Sequence, residues 1–114
     1  MGTLAAGAVV LVPFPFSDLS QSKLRPAVVL ADAGRGDLVL CQVTSNAYSD
    51  PLAVELSPVA FSSGSLQQIS YARPGKLFTA SGTLVVRQVG MLTVDALVHR
   101  VEQVVGLLRA ALPE

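Results

Sequence analysis

A mostly β domain finished by one carboxy-terminal helix is what this sequence predicts, on three observations. Short runs rich in Val, Leu, Thr and Phe, bounded by Gly, Pro, Asn and Asp, recur from Gly7 to Gly90. Two of these runs are joined by Asp32-Ala33-Gly34-Arg35-Gly36-Asp37, a glycine-rich hairpin signal. From Thr93 onward the apolar residues change to helical spacing. With 114 residues, 51% of them apolar, the chain is long enough for one hydrophobic core and too short for two domains.

Ala8-Val9-Val10-Leu11-Val12 is the pattern of a central strand buried on both faces, with Pro13 as its expected stop. The loop that follows carries Phe14 and Phe16, kept extended by prolines. Two such rings either plug the end of a barrel or offer faces to unstacked bases. Pro26 to Ala31 is the second strand and Leu38 to Thr44 the third, antiparallel across the hairpin turn. Ser45 to Pro51, with Tyr48, is a polar loop; Ala53 to Leu56 is a short strand; Ser57 to Gln68 is an irregular connection. Arg73-Pro74-Gly75-Lys76 leads into a strand through Thr79, and Val85 to Gly90 is the last strand.

The helix has Thr93 as its N-cap and Asp95 in the first turn, where the dipole favours a carboxylate. Val94, Leu97, Val98, Val101, Val104, Val105, Leu108 and Leu112 form a stripe expected to pack on the barrel or on a partner subunit. His99, Arg100, Glu102, Gln103 and Arg109 largely take the other face, so the lone histidine is expected in solvent. Gly106 weakens the helix by roughly 1 kcal/mol relative to Ala. The expected layout is a single domain over residues 1–114, with the barrel over about 7–92 and the helix over about 93–112.

Eight basic and eight acidic residues cancel, which argues against a polyanion binder of the strongly basic kind. Distribution is more informative. Leu56 to Val94 contains no acidic residue but holds Arg73, Lys76 and Arg87, and these form one basic patch with Lys23 and Arg25 if the fold gathers them. The single Cys41 excludes an intrachain disulfide and a cysteine-rich zinc site, and reads as a buried, inert thiol. Met1 to Val12 is apolar but short and has no basic lead, so it is neither a secretion signal nor a membrane span; cytoplasmic residence is expected.

Ser22-Lys23-Leu24-Arg25-Pro26 runs two cations into a strand. Pro26 fixes its own φ and biases Arg25 to extended backbone, a stiff mount for a planar fork of donors. Arg25 is therefore either an anion contact or a surface ion-pair residue. Counting outward from Asp32 and Asp37, Arg25 and Thr44 each lie about seven residues from the turn, which sets cation and hydroxyl at the same rim of the sheet if no bulge intervenes.

No Walker or dinucleotide loop, no ligand-spaced His/Cys/carboxylate cluster and no nucleophile elbow is present, so no cofactor or metal is expected. A reaction on this chain must use Arg, Lys, Thr, Ser, Tyr and the substrate's own groups. RNA brings such a group, because its 2′-hydroxyl can attack the adjacent phosphorus.

Val10-Leu11-Val12-Pro13-Phe14-Pro15-Phe16-Ser17-Asp18, Lys23 to Leu30, Cys41-Gln42-Val43-Thr44-Ser45, Arg73 to Thr79 and Val89-Gly90 closely resemble, in order, the MazF/PemK-like toxins of bacterial toxin–antitoxin systems. The resemblance implies an SH3-like small β-barrel of MazF/CcdB type with a carboxy-terminal helix, assembled as a homodimer. It also implies a metal-independent endoribonuclease that cuts single-stranded RNA at short sequences and is silenced by a cognate antitoxin. By position, the family's catalytic arginine falls on Arg25 in Lys-x-Arg-Pro, and its catalytic hydroxyl on Thr44. Lys23, Ser45, Arg73, Lys76 and Arg87 are the candidate RNA contacts, with Phe14, Phe16 or Tyr48 for stacking. Ala8 departs from the family pattern, which usually has an acidic residue after the glycine. Two other functions are compatible with this barrel: a CcdB-like toxin that jams DNA gyrase without cutting RNA, and a plain SH3-like interaction module.

Overall fold

Among the described residues seven strands, β1 (Ala8–Pro15), β2 (Ser22–Gly34), β3 (Asp37–Thr44), β4 (Val54–Leu56), β5 (Phe61–Gly64), β6 (Ser70–Ser81) and β7 (Arg87–Leu92), precede one α-helix, α1 (Val94–Ala110). The computed structural model describes residues 4–15, 22–47 and 50–113, so the expectations for Phe16 and Tyr48 lie outside the described residues. The strands form one antiparallel sheet in the order β4-β6-β3-β2-β1-β7-β5, curled into a nearly closed barrel. No helix among the described residues is long and apolar enough to cross a membrane.

β1 lies between β2 and β7, and the alternation along it fills two cores. Val10 and Val12 join Ala27, Val29 and Leu40 on one face; Val9 joins Val28, Cys41 and Val43 on the other. Each buried valine contributes about 1.5–3 kcal/mol relative to an exposed one. The expectation of a strand buried on both sides holds, but Pro13 does not end it. The carbonyl of Leu11 accepts from Val86 N at 2.9 Å on the β7 side, and the β7 pairing stops at that residue. Pro13 and Pro15 turn the same way as Leu11, toward an edge where β7 no longer runs, so their missing N–H groups cost no ladder bond.

The β2–β3 turn is tighter than the sequence suggests. Gly34 pairs with Asp37 around Arg35-Gly36, whose φ values of 59° and 81° are those of a type I′ turn, and Asp32 Oδ1 accepts from Gly34 N at 2.7 Å. A regular ladder from this turn would face Arg25 with Asn46. Two bulges, between Val29 and Ala31 and between Asp32 and Gly34, each absorb one residue of β2 and bring the register to Ala27↔Gln42. The β2–β3 pairing ends there, two residues before Arg25 on β2 and two before Thr44 on β3.

The irregular connection after β4 contains more order than expected: a 3₁₀ turn at Pro58–Ala60 and then β5. Gly64 pairs with Gly90 so closely that a Cβ on Gly64 would lie 2.2 Å from the Val89 carbonyl oxygen. β6 is broken midway. Pairing passes from Cys41↔Leu77 to Val43↔Ala72, so β3 advances two residues while β6 advances five, and Arg73-Pro74-Gly75-Lys76 bulges out.

Thr93 caps α1 as expected, its hydroxyl accepting from Ala96 N at 3.1 Å. Only part of the expected stripe packs on the barrel. Arg100 and Val104 are buried and Ala96 touches the core, whereas Val94, Val98, Val101, Val105, Leu108 and Leu112 are exposed, Val94 by 76% and Leu112 by 64%. Leu97, Arg100 and Val104 share the inward side at three- and four-residue spacing, which places a cation inside and most of the valines outside. His99 is exposed, as expected.

Candidate functional site

A cleft of about 680 Å³ opens where β2, β1 and β7 reach one end of the barrel beside the exit of β3. Register fixes its floor. Arg87 of β7 faces Leu11 of β1, and Leu11 faces Pro26 of β2, so Arg87 and Pro26 are two strand spacings apart, about 10 Å. Arg25, next to Pro26 and opposite Val12, lines the cleft together with Arg87, Val43 and Ser45. Ser65, Leu66, Gln67 and Gln68, from the β5–β6 connection, form the facing wall. Among the described residues, neither a carboxylate nor an aromatic ring lines the cleft.

The cause of Arg25's placement is local. Pro26 lies one residue beyond the last β2–β3 pair, so Arg25 is fixed by β1 on one side while its other side borders the opening. The side chain is half-buried. Thr44 ends β3, paired with Tyr71, between the two lining residues Val43 and Ser45. Its hydroxyl donates to Asn46 O at 3.1 Å and accepts from Asn46 N at 3.2 Å, a local ring that anchors the turn leaving the strand.

Other sequence-nominated residues have different surroundings. Lys23 is exposed on β2 opposite Phe14. Phe14 itself packs on the core, edge-on to Phe78 with centroids 4.7 Å apart at 78°, which is the barrel plug of the two readings. Arg73 and Lys76 belong to the β6 bulge and do not line the cleft. Arg73 Nε donates to Asp50 Oδ2 at 2.7 Å, and this bond, with the Leu52 amide, holds the Asp50 carboxyl below its ordinary value. The five cations thus do not converge: Arg25 and Arg87 share the cleft, while Arg73 and Lys76 surround Asp50.

Behind the bulge, Cys41 is buried, its thiol donating to Arg73 O at 3.3 Å, and burial pushes its pKa up to about 11. The Arg100 guanidinium, also buried, donates through Nε to Gln103 Oε1 at 3.1 Å, and burial lowers its pKa. Sequence reasoning missed Arg100 on the inner helix face, although its spacing from Leu97 and Val104 carried the signal. It also missed the glutamines of the cleft, of which Gln67 and Gln68 sit in a connection with no periodicity to read.

The family model for PemK-like, MazF-like toxins of type II toxin–antitoxin systems matches residues 5–108. Solved structures agree in fold. MazF from Deinococcus radiodurans is similar with a TM-score of 0.72 at 23% identity, over 96% of this chain and 99% of that one. The MazE–MazF complex of the same organism gives 0.70 at 22% identity, over 91% and 94%. An endoribonuclease in complex with its cognate antitoxin, from a mycobacterial species, gives 0.70 at 17% identity, over 97% and 100%. None of the curated proteins compared with the chain matches it. Since the family match runs through every strand and most of α1, the chain belongs to the PemK-like, MazF-like toxins of type II toxin–antitoxin systems.

Proposed function

We propose that the protein is a metal-independent endoribonuclease toxin that cuts single-stranded RNA in the cytoplasm and is held inactive by a cognate antitoxin. The observation that carries this reading is that Arg25 and Arg87 line one cleft, in a chain of this family. Arg25 binds the non-bridging oxygens of the scissile phosphate. The 2′-oxygen loses its proton and bonds to phosphorus, the bond from phosphorus to the 5′-oxygen breaks, and that oxygen takes up a proton. The products are a 2′,3′-cyclic phosphate and a 5′-hydroxyl end.

A guanidinium does not give up its proton at neutral pH, so Arg25 acts by stabilising the extra negative charge of the transition state. Thr44, once its hydroxyl turns from Asn46, donates to a phosphoryl or leaving oxygen. Arg87, Lys23 and Ser45 hold flanking phosphates. Arg73 and Lys76 are left a smaller share, because Asp50 already engages that bulge. The protein works as a homodimer, and the exposed valine stripe of α1 is apolar surface of the kind a subunit contact covers.

Incubating the protein with a long RNA in EDTA and mapping both new ends tests this reading. Cyclic-phosphate and 5′-hydroxyl ends at discrete sites are expected. Intact RNA accompanied by inhibition of DNA gyrase would replace it with a non-catalytic toxin, and neither effect would leave an interaction module.

A further inference from the structure

Three glutamines border the cleft, and no reaction step described above uses them. Gln67 and Gln68 are exposed on the β5–β6 connection, and Gln88 is exposed on β7 next to Arg87. The connection is held against the cleft from both ends. On one side Gly64 is locked onto Gly90; on the other the buried Ser70 hydroxyl donates to Gln68 O at 3.0 Å. Gln88 is oriented as well, its amide nitrogen donating to Gly90 O at 3.1 Å.

We propose that these amides read the base of a nucleotide next to the cut, making Gln67, Gln68 and Gln88 the sequence-selecting groups of this cleft. The inference rests on the endoribonuclease reading and specifies where its selectivity lies. A carboxamide presents one acceptor and two donors in one plane, which matches the paired donor and acceptor atoms on the edge of an unstacked base. It carries no charge, so it adds little to the long-range attraction of phosphates, and where it meets a base edge its contribution depends on base identity. Charges are supplied separately, by Arg25 and Arg87, which both line the cleft. Pro26, Val43, Val89 and Leu66 give the ring apolar surface. A volume of about 680 Å³ lies within the roughly 300–1,000 Å³ of small-molecule sites and accommodates a nucleotide.

The test compares the parent with a Gln67→Leu, Gln68→Leu double variant and with Gln88→Leu, by end mapping on an RNA pool with randomised flanks. In the double variant, preference for one base at one position should fall about tenfold, the discrimination of one good bidentate contact, while the other positions keep theirs. Gln88→Leu should relax the same position or its neighbour. The double variant changes only exposed side chains, so it remains informative if Gln88→Leu does not fold. Unchanged base preferences in the double variant, or a uniform loss of rate at every site alike, would overturn the assignment while leaving the nuclease reading intact. Absence of any cleavage by the parent would overturn both.

Discussion

Arg25-Pro26 and Arg73-Pro74 are the same dipeptide in two regions, and the fold uses them differently. In β2 the pair lies in an unbroken ladder with β1, Arg25 opposite Val12 and Pro26 opposite Leu11, at the rim of the cleft. In β6 the pair lies in a bulge, with Pro74 fully buried and Arg73 bonded to Asp50 at 2.7 Å. Proline sets extended backbone before it in both places. What the arginine then meets is decided by whether the neighbouring strand continues. Arg25 lines the cleft just beyond the last β2–β3 pair, and Arg73, where three extra residues loop out, bonds a carboxylate and ties the bulge down.

The widest separation between the two is expected from conservative substitution. Arg25→Lys keeps the charge but loses the planar fork, and removal of a transition-state donor of this kind costs about 100-fold or more in kcat. Initial rates on a short fluorescent RNA, with fold and assembly state checked in parallel, measure it. Parent-like cleavage by this variant would end the catalytic role of Arg25.

Arg87 tests the cleft from its other wall. Arg87→Ala should weaken RNA binding several-fold and reduce the slope of log K against log salt by about 0.7, the value for one phosphate contact on a single strand. Titration at several salt concentrations with uncleavable RNA reads this directly. An unchanged slope would remove Arg87 from the phosphate path and leave Arg25 alone among the cleft's arginines.

Much of this arrangement is legible in the sequence because period-two burial and turn chemistry are local. The strand at Ala8–Val12, the β2–β3 hairpin and the Thr93 cap all follow from neighbouring residues. The inner register of the hairpin, Ala27↔Gln42, is the one the count gives, for a less direct reason. Counting from Asp32 and Asp37 assumes a six-residue turn without bulges, whereas the structure has a two-residue turn with two bulges, and the two differences cancel. The β6 bulge is not legible, since nothing local says that three residues will find no partner on β3. Nor is the inner face of α1. A stripe of valines outweighs a single arginine in any periodicity count, yet Arg100 is the residue turned inward, beside Cys41 and Gln103.

Asp50 examines the structural member of the pair. Asp50→Asn removes the charge that holds Arg73, so the unfolding midpoint should fall while cleavage by the folded protein stays within about twofold of the parent, as for changes away from a site. The parent's pH profile should carry the same signature. The Asp50 carboxyl is held below its ordinary 3.8 by Arg73, so the stabilisation is present above that value and is lost as pH falls through the lowered one. Thermal melts of parent and variant across the acid range should therefore converge. Curves that stay parallel into strong acid would mean that the ion pair does not hold the bulge.

Cys41 provides a reporter beneath that bulge, with the smallest expected effect. Its thiol donates to the Arg73 carbonyl at 3.3 Å, and burial raises its pKa from 9.0 to about 11. The protonated, enclosed sulfur should resist alkylation in the native protein at neutral pH and react only after unfolding. Between 9.0 and about 11 the unfolded chain ionises at this residue while the folded one does not, so stability declines as pH rises through that interval. Asp50→Asn should raise the native alkylation rate by loosening the segment over the thiol, whereas Arg25→Lys should leave it unchanged. Equal rates in the two variants would show that the bulge closes over Cys41 without help from the Arg73–Asp50 bond, and the difference between the two Arg-Pro pairs would then reduce to backbone geometry alone.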